Sequence, residues 1–369
     1  MIIIVYVVTL ILTICTMLSG ALMYFRRCKI NPSHMEASKT PVSLIVPARN
    51  EAKNLPNLLK RVANHKDIEI IVMDDDSTDQ TCAIAEQYGA HVYKVSKHAT
   101  WKGKSHACWE GSQFASHNML LFVDADVQFS RLDSIWQIVN QYKLQQYRGL
   151  LSIQPYHMIE RLYENASALF NVMTIVGMNT FSITKSKYDD QMAFGPVILT
   201  NKQDYELTQG HFNAKDSIIE GFAISKSYHQ HALPVELYEG QGVVNFRMYP
   251  QGYKSLIEGW SKHIALGAQV TKQSTLALIV LWLIGTVTST IMVIISLWLN
   301  PIFIALALMV YVLYAFQHYV ILKRTGNFHI LVSVCHPLMF MNFMMIFMKS
   351  WFDVHVFKII QWKGRKINL

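Results

Sequence analysis

Three long runs of uncharged, apolar residues constrain the fold of this chain more than any other feature. They cover residues 2–25, 275–299 and 301–322. A helix needs about 20 such residues to cross the hydrocarbon core of a bilayer. The first run favours a span over a cleaved signal peptide, because no basic residue precedes it and Arg26, Arg27 and Lys29 follow it. We expect one N-terminal span and a C-terminal hairpin through a membrane.

The basic residues predict the orientation of these spans. Cations beside a span stay in the cytoplasm, so the N-terminus should lie outside and residues after 26 inside. We therefore expect a multi-pass cell-membrane protein whose central domain is cytoplasmic. Residues 328–348 favour a re-entrant or interfacial segment, because a full crossing would place the basic tail (Lys358, Lys363, Arg365, Lys366) outside. A full span is the alternative.

A fourth uncharged run, residues 166–184, contains Asn171 and Asn179. It is long enough to span. A crossing would, however, put the candidate site residues Asp126 and Glu220, which are described below, on opposite faces of the membrane. We expect a helix that lies on the membrane surface or dips into it.

The net charge and the cysteines indicate which binding partners and which cellular compartment to expect. The net charge of +8 suits a protein on an anionic membrane surface. No zinc-ligand, helix-turn-helix or ribonucleoprotein motif is present, so we expect no nucleic-acid partner. The five cysteines form no CxxC pair and are typical of free thiols in a reducing compartment.

Strand and helix patterns alternate through the middle of the chain. Apolar β-rich runs at 42–46, 68–73, 91–95 and 119–123 predict strands, and residues 50–65, 81–88 and 104–116 predict helices between them. This alternation predicts an α/β, Rossmann-like domain with a mainly parallel sheet. We divide the chain into an anchor (1–27), a linker (28–40), a catalytic domain (41–272) and a C-terminal membrane region (273–369). Ligands of such sheets bind at the carboxyl ends of the strands.

The strongest candidate for chemistry is the pair Asp124 and Asp126, one residue apart where the fourth strand ends. Paired carboxylates at such a place are suited to a hard divalent cation such as Mg²⁺ or Mn²⁺, which prefers oxygen ligands and in turn holds a diphosphate. The alternative is a loop with two solvated acids or a helix cap.

Two further loops should reach the same edge. After the second strand, the acidic triplet 74–76 is followed by Ser77, which can cap the next helix and leave Asp75 for a ligand. After the first strand come Pro47, Ala48, Arg49, Asn50 and Glu51. These five residues are either part of the site or only a helix start.

Cations and one further acid complete the candidates. Lys102 and Lys104 flank a glycine at a helix start, which suits phosphate oxygens, although a solvated basic turn is the alternative. Glu220 lies inside an apolar run, where a carboxylate needs a partner or a function.

Together, VSLIVPARNE, VMDDDSTD, GK and VDAD resemble glycosyltransferase family 2, which has the GT-A fold. The resemblance covers roughly residues 40 to 265. It implies that Pro47–Glu51 and Asp75 contact the nucleoside of a UDP-sugar. It also implies that Asp124 and Asp126 lie at the ribose, diphosphate and metal, and that Glu220 falls where the family often has its catalytic acid.

The sequence departs from the family pattern at three places. Gly221 follows Glu220 where an Asp is more usual, and Asp76 stands where a Gly is expected. The QxxRW signature of processive polymer synthases is absent, which argues against long-polymer synthesis.

Segments 101–108, 151–157, 193–197 and 218–223 resemble family members that act on carotenoid acids. This resemblance implies a glucosyl transfer from UDP-glucose to a carotenoid carboxylate at the membrane, with other carotenoid-pathway enzymes as further partners. The alternatives are a polyprenyl-phosphate or other lipid glycosyltransferase and, in a different class, a catalytically silent membrane scaffold.

Overall fold

The computed structural model describes the chain apart from residues 31–39, 64, 98–100, 102, 186–190, 216, 218–219, 357–358, 363–364 and 369. For residues 262–269, 359–362 and 365–368 only the backbone is described. The chain forms two compact units. The sheet unit comprises residues 28–157 and 186–247, and the helical unit comprises 1–27, 158–185 and 248–369.

The strands, in chain order, are β1 Val42–Ala48, β2 Ile68–Asp74, β3 His91–Lys94, β4 Met119–Val123, β5 Val127–Phe129, β6 Leu150–Gln154, β7 Tyr156–His157, β8 Val197–Asn201, β9 Val235–Glu239, β10 Val244–Phe246, β11 Ile359–Trp362 and β12 Arg365–Asn368. The helices are α1 Ile2–Met23, α2 Leu55–Leu59, α3 Thr81–Gln87, α4 Lys104–Phe114, α5 Ser134–Leu144, α6 Ala168–Gly177, α7 Lys202–Leu207, α8 Glu220–Gln230, α9 Tyr253–Val270, α10 Gln273–Ser296, α11 Pro301–Thr325, α12 Ile330–Val334 and α13 His336–His355.

The sheet unit is built on a seven-stranded sheet in the order β3-β2-β1-β4-β8-β6-β9. Strands β1 to β4 are parallel to one another where they pair, as predicted, whereas β8 runs antiparallel to both β4 and β6. Successive residues of β1 bury into opposite faces: Leu44 packs in one apolar cluster and Ile45 in the other. Burial on both faces explains why these strands read as continuous apolar runs.

The helix predicted over residues 50–65 is wrong in its length, since α2 covers only Leu55–Leu59. Pro56 lies in its first turn, where the missing N–H costs nothing. Upstream, Asn50 has a φ of 55° and its backbone N–H donates to Ser77 Oγ at 2.9 Å, so the chain before Leu55 forms a loop. The predicted helices at 81–88 and 104–116 are present as α3 and α4.

The helical unit contains the three predicted spans. Among the described residues, α1, α10 and α11 are long and apolar enough to cross a membrane. Small polar side chains join them: Thr13 Oγ1 donates to Thr288 Oγ1 at 2.9 Å, and Ser19 Oγ donates to Leu278 O at 2.7 Å. Such residues permit close helix approach where apolar burial supplies little driving force.

The two ambiguous apolar runs also fold into the helical unit. Residues 166–184 contain the last two residues of a 3-10 helix (Leu162–Ser167) and the ten-residue helix α6, which is about 15 Å long and too short to span. Its residues from Ala168 to Val172 are buried. Residues 328–348 divide into α12 and the start of α13, with a break at Cys335. The division of the chain into an anchor, a linker, a catalytic domain (41–272) and a C-terminal membrane region stays a prediction.

Candidate active site

The carboxyl ends of β1, β2 and β4 bring the predicted site residues to one edge of the sheet. In the parallel register, Ala48 pairs with Asp74 and Ile45 pairs with Phe122, so the loops that follow emerge side by side. These loops carry the residues predicted for the nucleoside and the cation. Because parallel strands end at the same edge, a local motif on each is enough to assemble the site.

The loops after β1 and β2 are tied together by hydrogen bonds. The Asp75 backbone N–H donates to Ala48 O at 2.9 Å, and the Thr78 N–H donates to Asn50 Oδ1 at 2.8 Å. The Glu51 N–H donates to Thr81 Oγ1 at 2.8 Å. These contacts fix the end of β1, which contains Pro47 and Ala48, and the loop from Arg49 onward, without using the Asp75 carboxylate.

The acidic triplet separates into three roles. Asp74 is buried and accepts the Ser77 N–H at 3.2 Å. Asp75 lies 3.5 Å from Arg49 Nη1. Asp76 has a φ of 62°, a left-handed conformation that favours glycine and that Asp tolerates better than most residues. The departure from the family's usual glycine is therefore accommodated without rebuilding the turn.

Lys104 is the centre of the site. Its Nζ lies 2.8 Å from Asp124 Oδ1 and 2.5 Å from Glu220 Oε1, and it donates to Gly195 O at 3.2 Å. The three contacts occupy all three ammonium protons. The neighbouring carboxylates raise the pKa of Lys104 despite its burial, which opposes that shift. Lys104 is therefore a fixed cation between two acids, whereas the sequence predicted a phosphate ligand.

Glycines make room for this arrangement. A Cβ at Gly195 would lie 2.7 Å from Glu220 Oε1 and 3.2 Å from Lys104 Nζ. A Cβ at Gly221 would lie 2.1 Å from Ala193 O, so the Asp that is more usual there cannot fit this backbone. The sequence marked Gly221 only as the residue after Glu220, and Gly195 only as part of the segment 193–197 that resembles family members.

Asp126 differs from Asp124 in its surroundings. Burial, followed by the negative charges of Asp124 and Glu51, raises the pKa of Asp126 to about 7. Burial also raises the pKa of Asp124, although Lys104 opposes that shift. Within the described part of the chain, no ion pair joins the Asp126 carboxylate to a cationic side chain. Of the three acids Asp124, Asp126 and Glu220, Asp126 is thus the one whose negative charge is least compensated.

The carboxylates fit a divalent cation only in part. Among the described residues, no group of three His, Cys, Asp or Glu side chains is arranged to hold a metal. Asp126, with Asp124 and Glu51 near enough to affect its pKa, offers hard oxygen ligands with uncompensated charge. A cation held here would take further ligands from a bound molecule, as is usual for Mg²⁺.

A buried histidine behind the site was not selected from the sequence as a catalytic residue. His211 Nδ1 lies 2.9 Å from Tyr205 Oη, and its ring packs 4.7 Å from that of Phe122. Burial and the charge of Lys104 lower the pKa of His211 to about 3, so the imidazole is neutral. Lys102, which was predicted to bind phosphate, lies outside the described residues.

Comparison with known proteins adds an independent line of evidence. Residues 43–149 match the family model of glycosyl transferase family 2. The chain is 44% identical over 366 residues to the 4,4'-diaponeurosporenoate glycosyltransferase of Staphylococcus aureus strain MRSA252, covering 98% of this chain and 97% of that protein. The enzyme of the same name from strain USA300 is 43% identical with the same coverage.

One solved structure matches along almost the entire chain. It is a mannosyltransferase from Pyrobaculum calidifontis in complex with GDP-mannose and Mn²⁺, with a TM-score of 0.51 and 15% identity. The match covers 95% of this chain and 99% of that one. At this identity the likeness bears on the fold, and it agrees with the predicted GT-A type.

Proposed function

The chain belongs to glycosyltransferase family 2, and from that premise we propose that it transfers glucose from UDP-glucose to the carboxylate of a carotenoid acid, giving a glucosyl ester. The relatives that act on 4,4'-diaponeurosporenoate support the acceptor, and the resemblance implies a place in staphyloxanthin-type carotenoid synthesis. The observation that carries the proposal is the Asp124–Lys104–Glu220 arrangement beside Asp126.

The nucleotide sugar would bind across the loops at the sheet edge. Arg49, Glu51 and Asp75 would contact the nucleoside, and Asp124 and Asp126 would hold a divalent cation. The bound cation would neutralise charge on the departing diphosphate. Support for a cation comes from the uncompensated charge at Asp126 and from the Mn²⁺ in the complex of the Pyrobaculum calidifontis mannosyltransferase.

The missing second acid favours a carboxylate acceptor. A carboxylic acid has a pKa near 4 and is ionised at neutral pH, so the attacking oxygen has no proton to lose. An alcohol acceptor would need a general base. Gly221 excludes an Asp at its position, and Glu220 is held against Lys104, so Glu220 would position the reactants.

A direct experiment separates this function from its rivals. Purified protein is incubated with several UDP-sugars, Mn²⁺ or Mg²⁺ and a lipid extract, and the product is identified by mass. A glucosyl ester of a carotenoid acid is expected. A glycosylated polyprenyl phosphate would replace the proposed acceptor, and the absence of any transfer would favour a silent scaffold.

Substitutions that each remove one negative charge test whether Asp126 holds the cation. Asp126→Asn should reduce UDP release at least a hundredfold, and a chelator should do the same to the wild type. Asp133→Asn is the matched control: this acid pairs with Arg131 at 2.9 Å and should retain full turnover. Turnover that survives both Asp126→Asn and chelation would contradict the cation role.

We further propose that the sheet unit, which carries the candidate active site, is cytoplasmic. Tyr24 O accepts a hydrogen bond from Arg324, so the ends of α1 and α11 coincide, and Arg26, Lys272 and Lys323 belong to the same end of the bundle. The opposite end, residues 1–5 and 296–301, carries no charged side chain. Because cations beside a span stay in the cytoplasm, the basic end should face that side.

Cysteine labelling tests this orientation. Asp126→Cys and Glu220→Cys are made separately after the five natural cysteines are replaced. An impermeant thiol reagent should label neither in intact cells and both after permeabilisation. Labelling of either one in intact cells would overturn the orientation.

A further inference from the structure

Residues 193–196, called here the bridge segment, contact both Lys104 and Asp124 through their backbone. Gly195 O accepts a hydrogen bond from Lys104 Nζ at 3.2 Å, and the Asp124 N–H donates to Pro196 O at 2.9 Å. The segment consists of Ala, Phe, Gly and Pro, so it has no charged or hydrogen-bonding side chain of its own. Its contribution to the site therefore depends on where its backbone lies.

Two buried serines hold the bridge segment in place. Ser152 Oγ, on β6, accepts the Phe194 N–H at 2.7 Å and donates to Phe194 O at 2.8 Å. Ser225 Oγ, on α8, accepts the Ala193 N–H at 2.6 Å and donates to Gly221 O at 2.7 Å. Each hydroxyl thus uses both its proton and a lone pair. Both serines are at most 1% exposed, so neither can contact a substrate.

Ser225 lies where the bridge segment meets the start of α8. A Cβ at Gly221 would lie 2.1 Å from Ala193 O, so the two backbones are in direct contact there. The preceding residue, Glu220, begins α8 and places its Oε1 2.5 Å from Lys104 Nζ. The Ser225 hydroxyl bonds to both sides of this contact, because it donates to Gly221 O and accepts from Ala193 N. It therefore links the helix that carries Glu220 to the segment that holds Lys104.

We propose that Ser225 is a positioning residue for sugar transfer, because its hydroxyl sets the position of Glu220 relative to Lys104. Ser152 supports the same position from the sheet side. In Ser225→Ala the buried Ala193 N–H loses its acceptor, which is costly unless the backbone moves to find another. A movement of about 1 Å in an active site can cost about a hundredfold in rate. This role rests on the proposed function.

Ser227, two positions further along α8, offers a matched control. Its Oγ donates to Thr208 O at 2.7 Å and accepts from Asn213 Nδ2 at 3.1 Å, and the residue is 4% exposed. It therefore makes the same kind of buried double hydrogen bond as Ser225, but its partners lie outside the bridge segment. Replacing either serine by Ala should lower the thermal midpoint by a similar amount, since each change removes one buried hydroxyl and its two hydrogen bonds.

Steady-state kinetics of UDP release separate a positioning role from a purely structural one. Ser225→Ala should lower kcat roughly five- to twentyfold, because the loss of one hydroxyl moves Glu220 by less than about 1 Å. The KM for UDP-glucose should stay within about twofold of the wild type, because the loops after β1 and β2 are unchanged. Ser227→Ala should keep the kcat of the wild type. Equal losses of kcat in both variants would contradict the proposal.

The reactivity of Lys104 reports its surroundings without any nucleotide sugar. Purified protein is treated with a limiting amount of acetic anhydride, and the acetylation of each lysine is quantified by mass spectrometry. An amine reacts when it is neutral, so the acids that pair with Lys104 protect it, and Lys202 of the same chain is the reference. Ser225→Ala should raise the ratio of Lys104 to Lys202 acetylation by about threefold or more, whereas Ser227→Ala should leave it unchanged. An unchanged ratio in Ser225→Ala would overturn the proposal.

The two measurements distinguish failure of this role from failure of the proposed function. If the wild type transfers no sugar but Ser225→Ala alone raises the reactivity of Lys104, the proposed function is wrong and Ser225 still sets the geometry of the site. If transfer occurs but the Ser225 and Ser227 variants behave alike, the proposed function stands and the positioning role is wrong. Should Ser225→Ala not fold, Ser152→Ala allows the same two measurements on the bridge segment, and unchanged kcat and Lys104 reactivity there would refute the proposal.

Discussion

Replacing Gly195 by Ala should damage catalysis while leaving the fold intact. The added methyl would lie 2.7 Å from Glu220 Oε1, whereas ordinary contact begins at 3.4 Å, so the carboxylate must retreat by about 0.7 Å. Gly195 does not have a positive φ, so Ala meets no backbone strain there. The perturbation falls on the Glu220–Lys104 contact, which is 2.5 Å long in the wild type.

The size of the effect follows from that displacement. A misplacement of 1 Å in an active site can cost about a hundredfold in rate. A shift of about 0.7 Å should therefore lower kcat roughly ten- to a hundredfold, or about 1.4 to 2.7 kcal/mol in activation free energy. The free energy of unfolding should change by less than about 1 kcal/mol, because the group that moves is the end of a flexible side chain.

The assay is UDP release at saturating donor and acceptor with Mn²⁺, together with thermal unfolding followed by circular dichroism. Gly111→Ala is the matched control, since its methyl would lie 2.6 Å from Ile45 Cγ2 and 2.8 Å from Met73 Cγ. Its crowding is similar but purely apolar, so it should lower the unfolding midpoint and spare kcat. If Gly195→Ala turns over within twofold of the wild type, the exact placement of Glu220 is irrelevant and the reasoning fails.

Three further predictions concern charges around the site. Lys104→Met should lose more than a hundredfold in turnover and about 2 to 3 kcal/mol in stability, because Asp124 and Glu220 then repel without compensation. Lys202→Met, whose ammonium contacts only Ala115 O among the described residues, is its control, and equal losses in both would refute a site-specific effect. Glu220→Gln should lower turnover less with a carboxylate acceptor than with an alcohol, because only the alcohol has a proton to lose, and equal, near-complete loss with both acceptors would contradict this prediction. His211 has its pKa lowered from 6.5 to about 3, so the unfolded state binds the extra proton and stability falls as the pH drops below 6.5. At pH 5 this group should cost about 2 kcal/mol relative to pH 7; His211→Gln should show a smaller fall in unfolding midpoint over that range, and an equal fall would contradict the assignment.

Local patterns in the sequence were sufficient for several parts of this protein. The three spans follow from uncharged runs, because a bilayer selects for continuous apolar length whatever lies elsewhere in the chain. The parallel strands β1, β2 and β4 follow from short apolar runs that end in polar residues. Since their carboxyl ends share one edge, Asp75, Asp124 and Asp126 could be assigned to one site without knowledge of the fold.

Other features depended on contacts between distant residues. Lys104 meets Asp124 and Glu220 from 20 and 116 positions away, so no window of sequence could show that its charge is already satisfied. The antiparallel strand β8 enters the sheet between β4 and β6, although nothing in its own residues specifies those neighbours. The helix predicted over 50–65 lost its first turns to hydrogen bonds with the loop after β2.

The sequence by itself therefore determined which segments are apolar, which are polar and where strands end, since those properties are set by side chains a few positions apart. The tertiary structure alone decided which charges compensate one another and where the apolar run 328–348 breaks, at Cys335 between α12 and α13. Electrostatic and hydrogen-bond energies depend on distances in space, and chain folding makes those distances independent of separation along the sequence.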